Sequence, residues 1–169
     1  VARESLVLLK NEADLLPVDE RDDVALVGGL ADSATDMLGA WRAEGDPDDV
    51  TTLRTTLTDR VESLTYVEGC DRDGAVGDEQ LERAVEAVTS ADVAIVAVGE
   101  RYSQSGEAAS RAHLDLPGDQ RALLEALVET GTPVAAVLFS GRPLAIDWEA
   151  DHVPALLEAW FPGVEAGPA

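Results

Sequence analysis

Three stretches of this chain are apolar almost from end to end: VALVGG at 24–29, VAIVAVG at 93–99 and PVAAVLFSG at 133–141. Each is short, rich in Val and closed by glycine or a Ser-Gly pair, which suits a strand better than a helix. None alternates with polar residues. A strand that is apolar on both faces has to be covered on both faces, and that happens almost only in parallel sheets with helices on either side. The intervening segments supply such helices. DEQLERAVEAVTS (78–90) sets Leu81, Val85 and Val88 on one face, and GDQRALLEALVETG (118–131) is amphipathic and closed by Gly131. DVTTLRTTLTDRV (49–61) reads as a helix with Asp49 as its N-cap. ESLVLLKNE (4–12) carries apolar residues at helical spacing and is also expected to be helical. LTYVEG (64–69) alternates as a strand should, and HVPALLEAW (152–160) fits a further short strand. The expected fold class is α/β, a three-layer α/β/α sandwich around a mostly parallel sheet.

A chain of 169 residues is enough for one domain with a proper core. Its charge narrows the function classes. It has 34 acidic and 12 basic residues, a net charge of −22, and Lys10 is its only lysine. A nucleic-acid partner needs a positive surface for phosphates and is not expected. So much negative charge repels itself at low ionic strength and is tolerated where concentrated salt screens it. Abundant Asp and Glu with almost no Lys read as a protein of a salt-loving microbe, the alternative being an ordinary acidic protein. No apolar run is long enough to span a bilayer, so no membrane partner is expected. The N-terminal VARESLVLLKNE does not resemble a secretion signal and lacks an initiator Met, so the chain is expected to be cut from something longer. Cys70 stands alone, which excludes an internal disulfide and a cysteine metal site. His113 and His152 are far apart and lack metal-ligand spacing.

In sheets of this kind, function gathers on loops leaving the carboxyl ends of the strands. Three loops qualify: GGLADSATDMLGAW (28–41), GERYSQSGEAASR (99–111) and SGRPL (140–144). A nucleotide site is disfavoured, because the turn after VALV lacks the G-x-G-x-x-G pattern and the P-loop lysine. DPDD at 46–49 resembles a calcium loop only in charge. The second loop offers a hydrolytic carboxyl. Glu107 lies between Gly106 and Ala108, small neighbours that let a substrate approach, and a carboxyl shielded by apolar surface can donate a proton near neutrality. Arg111, four residues on, can brace the loop through Asp115 or bind a substrate hydroxyl. Glu100 directly follows the strand and is the rival acid, better placed to anchor the loop than to reach a ligand. Trp41, on the first of these loops, offers an aromatic face to a ligand or packs under the loop. Arg142 in SGRPL is expected to pair with a carboxylate inside the domain.

An ordered set of motifs spans nearly the whole chain: ESLVLLKNE with LLPV, VALVGGLADSATDMLGAW, YVEGC, VAIVAVGE, GEAASR with LDLPGDQ, VLFSGRPL and ALLEAWFPGVEAG. Together they resemble the α/β sandwich domain of glycoside hydrolase family 3, the β-glucosidase and β-xylosidase group. The resemblance implies a domain layout: residues 1–21 form a linker and leading helix from an upstream (β/α)8 barrel, and residues 22–169 form a sandwich domain truncated at its C-terminal end. It implies that this is the second catalytic domain of a retaining, exo-acting β-glycosidase, whose aspartate nucleophile sits on the barrel. The family's G-E-x-x-x-R stretch puts the general acid/base on Glu107, with its arginine on Arg111. The implied substrate is a terminal β-linked sugar, a glucoside or xyloside, with no metal or organic cofactor, and the polypeptide alone is expected to be inactive. The other class of reading is a non-catalytic carbohydrate-binding or interaction domain.

Overall fold

A computed structural model describes residues 1–169. Six strands form one sheet: β1 (Val7–Asn11), β2 (Asp23–Val27), β3 (Ser63–Val67), β4 (Val93–Gly99), β5 (Val134–Phe139) and β6 (Ala155–Glu158). Their order across the sheet is β1-β6-β5-β4-β2-β3. Five strands run parallel, and β1 pairs antiparallel with β6 at one edge. The helices are α1 (Ala2–Ser5), α2 (Ala34–Met37), α3 (Leu53–Arg60), α4 (Asp78–Thr89), α5 (Gln120–Val128) and α6 (Asp147–His152). No helix is long and apolar enough to cross a membrane.

The all-apolar strands do what their composition requires. Every residue of β4 and β5 is buried. Successive side chains feed two cores on opposite faces of the sheet. Ala25, Val27, Ala94, Val96 and Val98 meet Leu123, Leu124 and Leu127 of α5 and Ala84 and Val88 of α4 on one face. Val24, Leu26, Val93, Ile95 and Phe139 meet Leu30, Met37 and the apolar side of α3 on the other. The sandwich expected from the sequence is present, helices packing on both faces of the sheet.

Two local expectations are corrected. ESLVLLKNE is not a helix: only Ala2–Ser5 turn once, and Val7–Asn11 is a strand. Val7, Leu8 and Leu9 are all exposed, so their helical spacing serves no helical face. What decides the conformation is pairing with β6, at Val7↔Glu158 and Asn11↔Ala155. Asn11 then fastens the exit by exchanging two hydrogen bonds with the Leu16 backbone, at 2.8 and 2.9 Å. Asp49 is not the N-cap of α3. Thr52 takes that role, its hydroxyl accepting from Thr55 N at 3.2 Å. The DPDD segment is instead a short turn over Pro47–Asp49 capped by the Asp46 carboxylate, an arrangement proline favours by lacking an N–H to satisfy. The helix α6 was not anticipated, since DWEADH is short and carries little apolar pattern.

Candidate active-site loop

The loops at the carboxyl end of the sheet converge around residues 100–115. Two buried carboxylates hold them. The first is Asp36 in α2, fully buried. Its oxygens accept from Ser33 Oγ at 2.5 Å, Arg72 Nε at 2.6 Å and the Tyr102 backbone N–H at 3.0 Å. One carboxylate therefore joins the loops that follow β2, β3 and β4. The second is Glu100, also fully buried. Arg111 Nη1 donates to it at 2.8 Å, and Arg142 Nε lies 3.2 Å away. A buried carboxylate is costly unless paired, and here two guanidinium groups compensate it.

The same arginines reach the backbone. Arg111 Nη2 donates to the carbonyl of Asp115 at 2.9 Å. The bracing expected of Arg111 is present, but it runs through Glu100 and a main-chain carbonyl rather than the Asp115 carboxylate. Arg142 Nη2 donates to the carbonyls of Gln104 and Ala109, the latter at 2.9 Å. Between those two carbonyls lie Ser105, Gly106, Glu107 and Ala108. The segment turns through Ala109 N–H to Gly106 O, with Gly106 and Ala108 both at positive φ. A Cβ on Gly106 would fall 2.8 Å from the Ala40 Cβ, so only glycine lets this loop lie against the Trp41 loop.

Glu107 is exposed at the apex of this turn. It lines a depression of about 300 Å³ together with Ala40, Trp41, Tyr102, Ser103, Ser105 and Ala109. Trp41 is 77% exposed, so it presents its ring to solvent rather than packing under the loop. Arg42 lays its guanidinium 4.9 Å from the Tyr102 ring centroid and ties the two loops. The structure thus brings Glu107 and Trp41 to one depression and holds Arg111 behind them on Glu100. Glu100 cannot reach that depression while both arginines hold it.

Three contributors were not singled out in the sequence. Gln120 is buried at the start of α5, and its amide exchanges two hydrogen bonds with Gly99, Oε1 accepting from N at 2.6 Å and Nε2 donating to O at 2.9 Å. The β2–β4 ladder ends at Val27↔Val96, so Gln120 satisfies backbone that the sheet no longer does. Its position in LDLPGDQ was the available signal. Asp36 carried none, being one acid among many in a polar loop. Glu158 is buried where β6 ends and accepts from Ser140 Oγ at 3.1 Å and Trp160 N at 3.0 Å. Burial pushes its carboxyl above the ordinary range, and the nearby Glu100 charge adds to that.

A mostly parallel six-stranded sheet with helices on both faces defines an α/β sandwich domain, with its candidate loop at the carboxyl edge. Residues 6–169 match the glycosyl hydrolase family 3 C-terminal domain, and the chain belongs to that family. It is 36% identical to a periplasmic β-glucosidase of Salmonella typhimurium, covering 100% of this chain and 25% of the relative. It is 33% identical to a β-xylosidase of Formosa agariphila, covering 100% of this chain and 24% of the relative. The crystal structure of a β-glucosidase from Listeria innocua in complex with isofagomine superposes with a TM-score of 0.93 at 38% identity, over 98% of this chain and 23% of that one. The chain therefore spans about a quarter of the length of these relatives.

Proposed function

We propose that this chain is the second catalytic domain of a retaining, exo-acting β-glycosidase and that Glu107 is its general acid/base. The single observation that carries this reading is the placement of Glu107, exposed at the apex of a clamped turn beside an exposed tryptophan. The nucleophile is an aspartate on an upstream (β/α)8 barrel, set about 5–5.5 Å from the Glu107 carboxyl, the spacing of a double displacement. In the first step the nucleophile attacks the anomeric carbon while Glu107 protonates the leaving oxygen. In the second, ionised Glu107 takes a proton from water, which opens the glycosyl-enzyme. Trp41 packs on the apolar face of a terminal β-linked glucoside or xyloside. Arg111 contributes to the sugar subsite chiefly by fixing the loop, since its fork is already engaged with Glu100 and Asp115. No metal or organic cofactor is needed for this chemistry.

The test uses the complete gene product. Glu107→Ala, Glu100→Ala and wild type are compared on an aryl glycoside whose leaving group needs no protonation, with and without azide. Glu107→Ala is expected to slow glycosyl-enzyme breakdown about 10²- to 10⁴-fold and to recover with azide as a glycosyl azide. Wild-type behaviour of Glu107→Ala would reject the assignment. The isolated 169-residue chain is expected to show no turnover, and robust turnover by it would reject the two-domain reading.

A further inference from the structure

We infer that Arg142 is a positioning residue for the acid/base, because one of its nitrogens closes the loop that carries Glu107. This rests on the assignment of Glu107 above. Arg142 Nη2 donates to the carbonyls of both Gln104 and Ala109, and its Nε lies 3.2 Å from Glu100 Oε1. Glu100 immediately follows β4, a strand buried along its whole length. A continuous rigid path therefore runs from the centre of the sheet through Glu100 and Arg142 to both ends of the four-residue turn.

The neighbouring contacts constrain the turn without duplicating that closure. Asp36 holds the Tyr102 N–H, upstream of Gln104. Arg111 holds Asp115, downstream of Ala109. Arg142 joins the two sides at the turn itself. Gly141 supports the same approach from the β5 loop: a Cβ there would lie 2.1 Å from Ser105 Oγ and 2.9 Å from Phe161 Cε2. Lysine cannot replace this arrangement. Its single ammonium lacks the planar fork that grips a carboxylate and two carbonyls at once. Loss of the closure lets the Glu107 carboxyl drift from the glycosidic oxygen, which reduces proton donation while leaving the barrel's nucleophile intact.

The experiment measures kcat/KM of the complete protein on two aryl β-glycosides of the sugar it hydrolyses. One has phenol as leaving group and needs protonation; the other has dinitrophenol and does not. Because kcat/KM reports only the glycosylation step, the pair isolates the acid. Arg142→Lys is expected to lose about 10²-fold on the phenyl glycoside, as a misplacement of about 1 Å would cause, and less than about 3-fold on the dinitrophenyl glycoside, where no general acid is required. A core control, Val88→Ala, is expected to change both substrates equally. Equal losses on the two substrates with Arg142→Lys, or no loss, would overturn the inference. Should Arg142→Lys fail to fold, Glu100→Gln decides: it keeps the shape of the anchor and removes the charge holding Arg142, so the same selective loss is expected and equal losses overturn the inference. Glu107→Gln is measured alongside. If it shows the selective loss and the Arg142 variant does not, the positioning role fails alone. If Glu107→Gln shows no selectivity, the acid/base assignment fails and the positioning role falls with it.

Discussion

Gln120 shows how much one side chain can carry where a sheet ladder stops. Gly99 has both backbone groups bound by the Gln120 amide in a buried site. Gln120→Leu leaves a donor and an acceptor unpaired out of water, and unfolding in urea is expected to register a loss of about 2–4 kcal/mol. Cys70 behaves differently. Burial raises its thiol from 9.0 to about 11, so it is a neutral apolar filler at ordinary pH. Because the folded-state value is raised, the protonated form is favoured by folding. Its contribution is full below pH 9 and is lost as the pH climbs through 9 to 11, by about 2–3 kcal/mol. Cys70→Ala is expected to lack that alkaline loss in chemical unfolding across this window. A thiol reagent is expected to label Cys70 only once the protein unfolds. At this scale the sequence exposed some roles and concealed others. The placement of Glu107 on an open loop was legible because small residues flank it, and the anchoring by Glu100 because it abuts a strand. Asp36 was not, since its burial arises only when three loops fold over it.

The elements differ in how strongly their own residues dictate them. β4 and β5 were legible because an all-apolar run has few other solutions in water. The helix α5 was legible from its apolar stripe, and it repays that stripe in the core: Leu127 is fully buried. Leu127→Ala is expected to cost about 2–5 kcal/mol by calorimetry or urea. The edge strand β1 contrasts with it. Leu8 is 53% exposed, and Leu8→Ala is expected to change stability by no more than about 0.5 kcal/mol. Its conformation is set by the backbone of β6, a partner nearly 150 residues away by register, which no local spacing reveals. The loop after β5 is set by close packing. Gly141→Ala places a methyl against Ser105, and a loss of about 1–3 kcal/mol is expected from overpacking. Because Ser105 belongs to the Glu107 turn, activity on substrates needing a general acid is expected to fall with it.

At the scale of the whole molecule, charge is the dominant unbalanced term. With a net charge of −22, mutual repulsion opposes compaction and is relieved as added salt shortens the screening length from about 10 Å at 0.1 M to about 3 Å at 1 M. Most ion pairs are on the surface and contribute little individually, so they do not offset the excess. The urea midpoint is expected to rise between dilute buffer and molar KCl. A fall would discard the reading of this acidic composition as adaptation to concentrated salt.

The sequence by itself determined the class of fold, because burying both faces of Val- and Ala-rich strands requires helices on both sides of a parallel sheet. It also placed Glu107 on the loop that follows a central strand, because the all-apolar run ends at Gly99 and the G-E-x-x-x-R stretch comes shortly after it. Tertiary structure alone decided that β1 is a strand, that Glu100 is sealed between two arginines, and that Arg142 closes the Glu107 turn. Each of those depends on groups far apart in sequence whose pairing is favourable only after the sheet has brought them together and excluded water.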